Sequence, residues 1–206
     1  MCLVLTQRTE IDDMENVQEV KVLTKEWSNP TAAGLVALAA VCFCFFAMLD
    51  GHLVKSSGTL LVLGGWLIGG FVVQFVVGIL DLKGGNHSGG NVFLFFSAFF
   101  MLATGIGMFV KGLGFPSDPT IDAYAWLALM LAMWLWTPAF FKKINILTFI
   151  VLLVDGALLF IVLNDFGYHD FIGIGAWLLF AAGILAIYLS AAIVVNTAFG
   201  KKIYPM

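Results

Sequence analysis

Few residues in this chain can do chemistry, and most of those stand alone in apolar surroundings. Asp155 is the carboxylate set deepest in an apolar run, with Val154 before it and Gly156 after it. At membrane depth such a group is expensive unless it is paired, protonated or wet. It is then either a proton relay or a protonated acid bonded to a nearby carbonyl. Gln74 is an amide inside a glycine-rich apolar run containing Gly64, Gly65, Gly69, Gly70 and Gly78. It either bonds across packed helices or lines a wet path. Asn29-Pro30 heads the first long apolar run. Asn is a preferred helix cap, and proline suits the first helical position because its missing N–H has no helical partner there anyway. A helix starting here points free amides and a positive dipole end outward. The box is then either an ordinary helix start or a site for a small anion, with Asn29 and the Thr31 hydroxyl beside it.

Other chemistry is missing. There is no His/Glu cluster at metal spacing, no phosphate-binding loop and no nucleophile elbow. His52, His87 and His169 fall in polar loops, and Cys42 and Cys44 read as small buried hydrophobes in an apolar run. The pattern excludes an enzyme and calls for no cofactor or metal. Without an ATP-binding segment, transport is passive or ion-coupled. A net charge of −3 gives no reason to expect nucleic acid.

The elements that must position these residues are membrane helices. Hydrophobic residues make up 61% of the 206 and charged residues 11%, against about 25% charged in a soluble domain. The charge gathers in residues 1–28, where Met1 to Leu5 is too short an apolar run for a secretory signal. Residues 1–28 read as a cytoplasmic segment, 29–200 as an all-α, polytopic domain of six transmembrane helices, and 201–206 as a tail. The spans fall at about 31–49, 59–80, 91–110, 121–141, 144–163 and 171–199, near the ~20 residues a bilayer needs. With both termini cytoplasmic, Arg8, Lys21, Lys25, Lys83, Lys142, Lys143, Lys201 and Lys202 lie inside, and Lys55 and Lys111 outside. This positive-inside bias places the N- and C-termini in the cytoplasm and the chain in the inner, cytoplasmic membrane, in contact with lipid.

The same residues carry a family resemblance. Asn29-Pro30-Thr31-Ala32-Ala33-Gly34-Leu35 resembles the N-P-A-P-L-G-L signature of the acetate uptake transporter family, the succinate–acetate permease type. Gly69-Gly70 with Gln74 and Gly78 is similar to that family's glycine–glutamine motif, with one residue inserted, and Gly85-Asn86 with Gly89 to its G-N-x-x-G. Gly175-Ala176-Trp177, Ala186-Ile187-Tyr188-Leu189, Asn196 and Phe199-Gly200 complete the match, which covers about Asn29 to Pro205.

The resemblance implies six helices per protomer, a ring-like homo-hexamer, and a path in each protomer for acetate and, in some members, succinate. The expected substrate contacts are Asn29, Thr31, Gln74 and Asn86. The resemblance also implies a hydrophobic constriction at Leu38, Phe96 and Val154, where the family pattern has Phe, Tyr and Leu. Phe96 therefore lacks the one hydroxyl of that ring. Asp155, where the family has a neutral residue, would put a carboxyl at the edge of the narrowest point and is the proton-coupling candidate. The expected function is passage of acetate and related monocarboxylates, linked to protons. The alternative is a channel for urea, formate, ammonia or water. A third reading, from another class, makes the acidic head a docking segment of a signalling or scaffold membrane protein.

Overall fold

The computed structural model describes residues 28–54, 56–142 and 144–206. The charged head, with the docking role considered for it, lies outside the described residues, as do Lys55 and Lys143. Six helices are long and apolar enough to cross a membrane. They are α1 (Thr31–Leu49), α2 (Ser57–Lys83), α3 (His87–Gly112), α4 (Thr120–Trp136, prolonged by a 3-10 segment at Thr137–Lys142), α5 (Ile146–Asp165) and α6 (Ile172–Phe199). No strand occurs among the described residues.

Local chemistry explains the boundaries. α1 starts at Thr31, with Pro30 just before it, so Asn29 sits one position earlier than a simple cap would. Its side-chain oxygen instead accepts the Thr31 N–H at 2.9 Å, closing an Asx turn around the proline. The sequence separates α4 from α5 least clearly. There Asn145 accepts from the Thr148 N–H, and Thr148 returns a bond to the Asn145 N–H, a reciprocal capping box. The Thr148 hydroxyl also donates to the Phe140 carbonyl at 2.9 Å, pinning the 3-10 segment to the start of α5. α2 is longer than expected, 27 residues, or about 40 Å, and draws Asp81 into the helix.

The helices pack as neighbours in the order α3–α2–α1–α6–α5–α4. α2 and α3 touch where Gly64 meets Gly105: a Cβ on Gly64 would stand 2.8 Å from the Gly105 carbonyl. Gly65 and Gly69 face open space instead, so the glycine-rich run packs on one side only. Aromatic side chains bridge the seam between α3 and α4, Phe95 to Trp136 at 5.9 Å and Phe100 to Trp126 at 5.5 Å between ring centroids. The tail folds back on α6. The Asn196 side chain accepts from the Ile203 and Tyr204 N–H groups, and the Tyr188 hydroxyl donates to the Pro205 carbonyl at 3.0 Å. Those two motif residues hold the chain end.

Candidate functional site

The inner end is the end that the lysines assign to the cytoplasm. A cavity of about 40 Å³ opens there between α1, α3, α4 and α5. Leu38, Phe96 and Val154 all line it, together with Thr31 and Asn86. The space suits about one water molecule. Leu38, Phe96 and Val154 are buried, and the opposing wall is Met133 and Phe140. The lining is therefore apolar except at Thr31 and Asn86.

The mouth of this cavity is a hydrogen-bond network around Asp81. The Thr31 hydroxyl lies 3.1 and 3.2 Å from its two oxygens, and the Asn86 amide donates to Oδ2 at 3.0 Å. Asn86 also caps α3 by accepting the Gly89 N–H at 3.1 Å. Asp81 is only 4% exposed. The donors expected to meet a substrate anion at Thr31 and Asn86 therefore already hold a carboxylate of the chain itself. Asn29 is exposed and spends its amide oxygen on Thr31. Sequence reasoning missed Asp81 because it reads as the charge that ends a span.

Gln74 does not line this cavity. It is fully buried, and its Nε2 donates to the Gly34 carbonyl at 3.1 Å, tying α2 to α1. Its Oε1 has no partner. The join is tight: a Cβ on Gly34 would stand 2.7 Å from the ring of Phe93, which lines the cavity. Gln74 thus braces the wall from behind. Asp155 corrects the expectation that it stands at the edge of the constriction. Successive residues of a helix point about 100° apart. Val154 faces the inner cavity, while Asp155 faces a separate groove of about 350 Å³ with Trp134, Thr137 and Pro138.

A second cavity, about 320 Å³, opens at the outer end. Phe45, Phe100 and Trp126 form part of its apolar lining, and Lys111, Asp122 and Asp165 are among its polar groups. Lys111 and Asp122 pair at 2.9 Å, both well exposed. Asp165 accepts from the Asn164 amide at 2.9 Å, and His169 Nδ1 sits 3.0 Å from the Asn164 oxygen. Phe96 and Phe100 separate the two cavities, edge to face with centroids 5.4 Å apart. Phe45 stacks on Phe100 at 5.0 Å. Two aromatic rings, Phe96 and Phe100, thus stand between the cavities, where the expected constriction of Leu38, Phe96 and Val154 contains only the first. Both rings stand on a π-helical stretch of α3, Phe96–Ala103, where Thr104 donates to the Phe99 carbonyl five residues back. π-turns inside α-helices recur at functional sites. Only the crowding of Phe93, Phe95, Phe96, Phe99 and Phe100 hints at this in the sequence.

These features define an integral, multi-pass membrane protein with two cavities parted by an aromatic barrier. Among solved structures it is similar to the bacterial acetate channel SatP, with a TM-score of 0.76 over 87% of this chain and 99% of that one, at 21% identity. The fold is shared with that channel. Neither a protein-family model nor a curated protein sequence matches the chain.

Proposed function

We propose that this protein is a membrane channel or transporter of the acetate uptake type, carrying acetate and related small monocarboxylates through the Leu38–Phe96–Val154 constriction of each protomer. One observation carries the reading. Thr31, Leu38, Asn86, Phe96 and Val154 line a single cavity, in a fold shared with an acetate channel.

The electrostatics favour a proton-linked passage. A carboxylate anion would meet Asp81 at the mouth and then an apolar ring, whereas the neutral acid avoids most of that desolvation. Succinate is the more demanding substrate, since two carboxyl groups must be neutralised. Assembly as a hexamer fits the apolar outer face of α1 and α2, where Val36, Val62 and Trp66 flank a groove of about 800 Å³. Labelled acetate uptake into proteoliposomes, with and without a proton gradient, tests the proposal. Faster uptake with acid on the donor side is expected, and flux no higher than in empty liposomes ends it.

A second reading rests on Phe96. The constriction ring offers no hydroxyl, which suits a neutral solute such as urea, or ammonia, or formic acid. Competition of urea, formate and succinate against acetate in the same vesicles separates the two.

A further inference from the structure

Behind the constriction wall lies a buried acid that the path does not use. Asp155 is 8% exposed and stands at the middle of α5. Its Oδ2 lies 2.5 Å from the Thr137 hydroxyl, and that hydroxyl also lies 2.9 Å from the Met133 carbonyl. A hydroxyl has one proton to give. When Thr137 gives it to Met133, the bond to Asp155 requires a proton from the acid. Its other oxygen, Oδ1, is buried without a partner. An ionised carboxylate here would take one neutral donor and leave Oδ1 bare, which apolar surroundings make costly. A proton on Asp155 completes a relay from Asp155 to Thr137 to Met133. The Trp134 indole N–H, donating to the Asp155 backbone carbonyl at 3.2 Å, holds the two helices in register.

No other titratable group lines this groove among the described residues. Of the elements packed on α5, α4 carries Asp122 and Tyr124 near its outer end, and the 3-10 segment carries Lys142 at its inner end. α6 carries Tyr188, the turn before it carries His169 and Asp170, and α5 itself carries Asp165 at its outer end. The position of Thr137 gives the proton leverage. It lies one turn from Met133 and one from Phe140, and both line the inner cavity opposite Val154.

We propose that Asp155 is a proton-binding site that latches the Met133–Phe140 wall of the constriction to α5 from the side facing away from the permeant. Losing the proton removes the donation to Thr137 and sets the carboxylate against Met133 for a single hydroxyl proton. The effect on transport rests on the path proposed above; the proton site and the latch do not.

Infrared difference spectra of the full chain in lipid, stepped from acidic to alkaline buffer, test the site. Wild type should show a neutral carboxylic-acid band that Asp155→Asn lacks, and Thr137→Val should shift its titration midpoint. No such band at any pH overturns the site. Hydrogen exchange of residues 137–142, corrected for intrinsic rates, tests the latch without any substrate. Exchange should speed up as the band disappears, and Asp155→Asn should lose that response. An unchanged response in Asp155→Asn overturns the latch. The ratio of wild-type to Asp155→Asn acetate flux should follow the same titration. If the band titrates and the exchange responds but no acetate crosses, the path fails and the proton site stands.

Discussion

At the inner mouth the acid, Asp81, is buried and bonded to two neutral donors, Thr31 and Asn86. At the outer vestibule Asp122 is paired with Lys111 in reach of water, and Asp165 is tied to Asn164. The inner network joins the starts of α1 and α3 to the end of α2, so it is architecture as well as chemistry. The outer pair is exposed, and exposed pairs contribute only about 0–1 kcal/mol. The difference teaches that the inner network is held by buried bonds across three helices, while the outer pair stands in reach of water and can rearrange. Phe96 and Phe100 keep the two apart.

Removing that partition should have the largest effect. Phe100→Ala deletes a ring in contact with Phe96, Phe45 and Trp126 and merges the two cavities. Acetate uptake should rise and discrimination against succinate should fall. Thermal unfolding in detergent should show a loss of about 3–5 kcal/mol for the emptied core site. Unchanged flux would place the barrier elsewhere and remove the contrast between the two ends.

The next effect tests the inner mouth. Asp81→Leu leaves the Thr31 hydroxyl and the Asn86 amide without an acceptor, at about 1–3 kcal/mol each. Asp81→Asn keeps an acceptor and should lose less stability. With no charge to repel an anion, it should also raise acetate uptake in alkaline buffer relative to wild type. Equal pH profiles in both proteins would show that Asp81 is structural only.

How legible the site was depended on how local each signal is. The six spans follow from composition, and the start of α1 follows from Asn29-Pro30. The family motifs point to Thr31, Asn86, Leu38, Phe96 and Val154, which line one cavity although they come from three helices and the turn before one of them. Asp81 escaped notice because its burial depends on Thr31, fifty residues away. At the end of an apolar run a charge reads as a loop. Asp155 was misplaced for the opposite reason: adjacency to Val154 in sequence was taken as adjacency in space, and the helical turn rotates it into another groove. Phe100 was hidden because a π-turn has no compositional mark in a run of phenylalanines.

Smaller again is the brace behind the inner wall. Gly34→Ala would set a methyl group 2.7 Å from the Phe93 ring and 2.9 Å from Val77. Both neighbours are well buried, so they yield little, and about 1–3 kcal/mol of stability should be lost. Gly58→Ala, where the new methyl group meets only the Ser56 hydroxyl at 4.0 Å, is the control and should cost nothing from overpacking. Equal losses would mean that the α1–α2 join is not the tight part of the wall.

The smallest effect belongs to the outer pair, and it is the one that can invert the comparison. Lys111→Met removes an ammonium that is 38% exposed and leaves Asp122 still in reach of water. Stability should change by less than about 1 kcal/mol. If Lys111 only draws anions into the antechamber, acetate uptake should fall at low salt and recover in 1 M salt, where the Debye length is about 3 Å. A loss of uptake equal at both salt concentrations would mean that the ammonium contacts the permeant directly. Selection would then begin at the outer end, and the inner Asp81 network would serve to hold three helices together rather than to choose what passes between them.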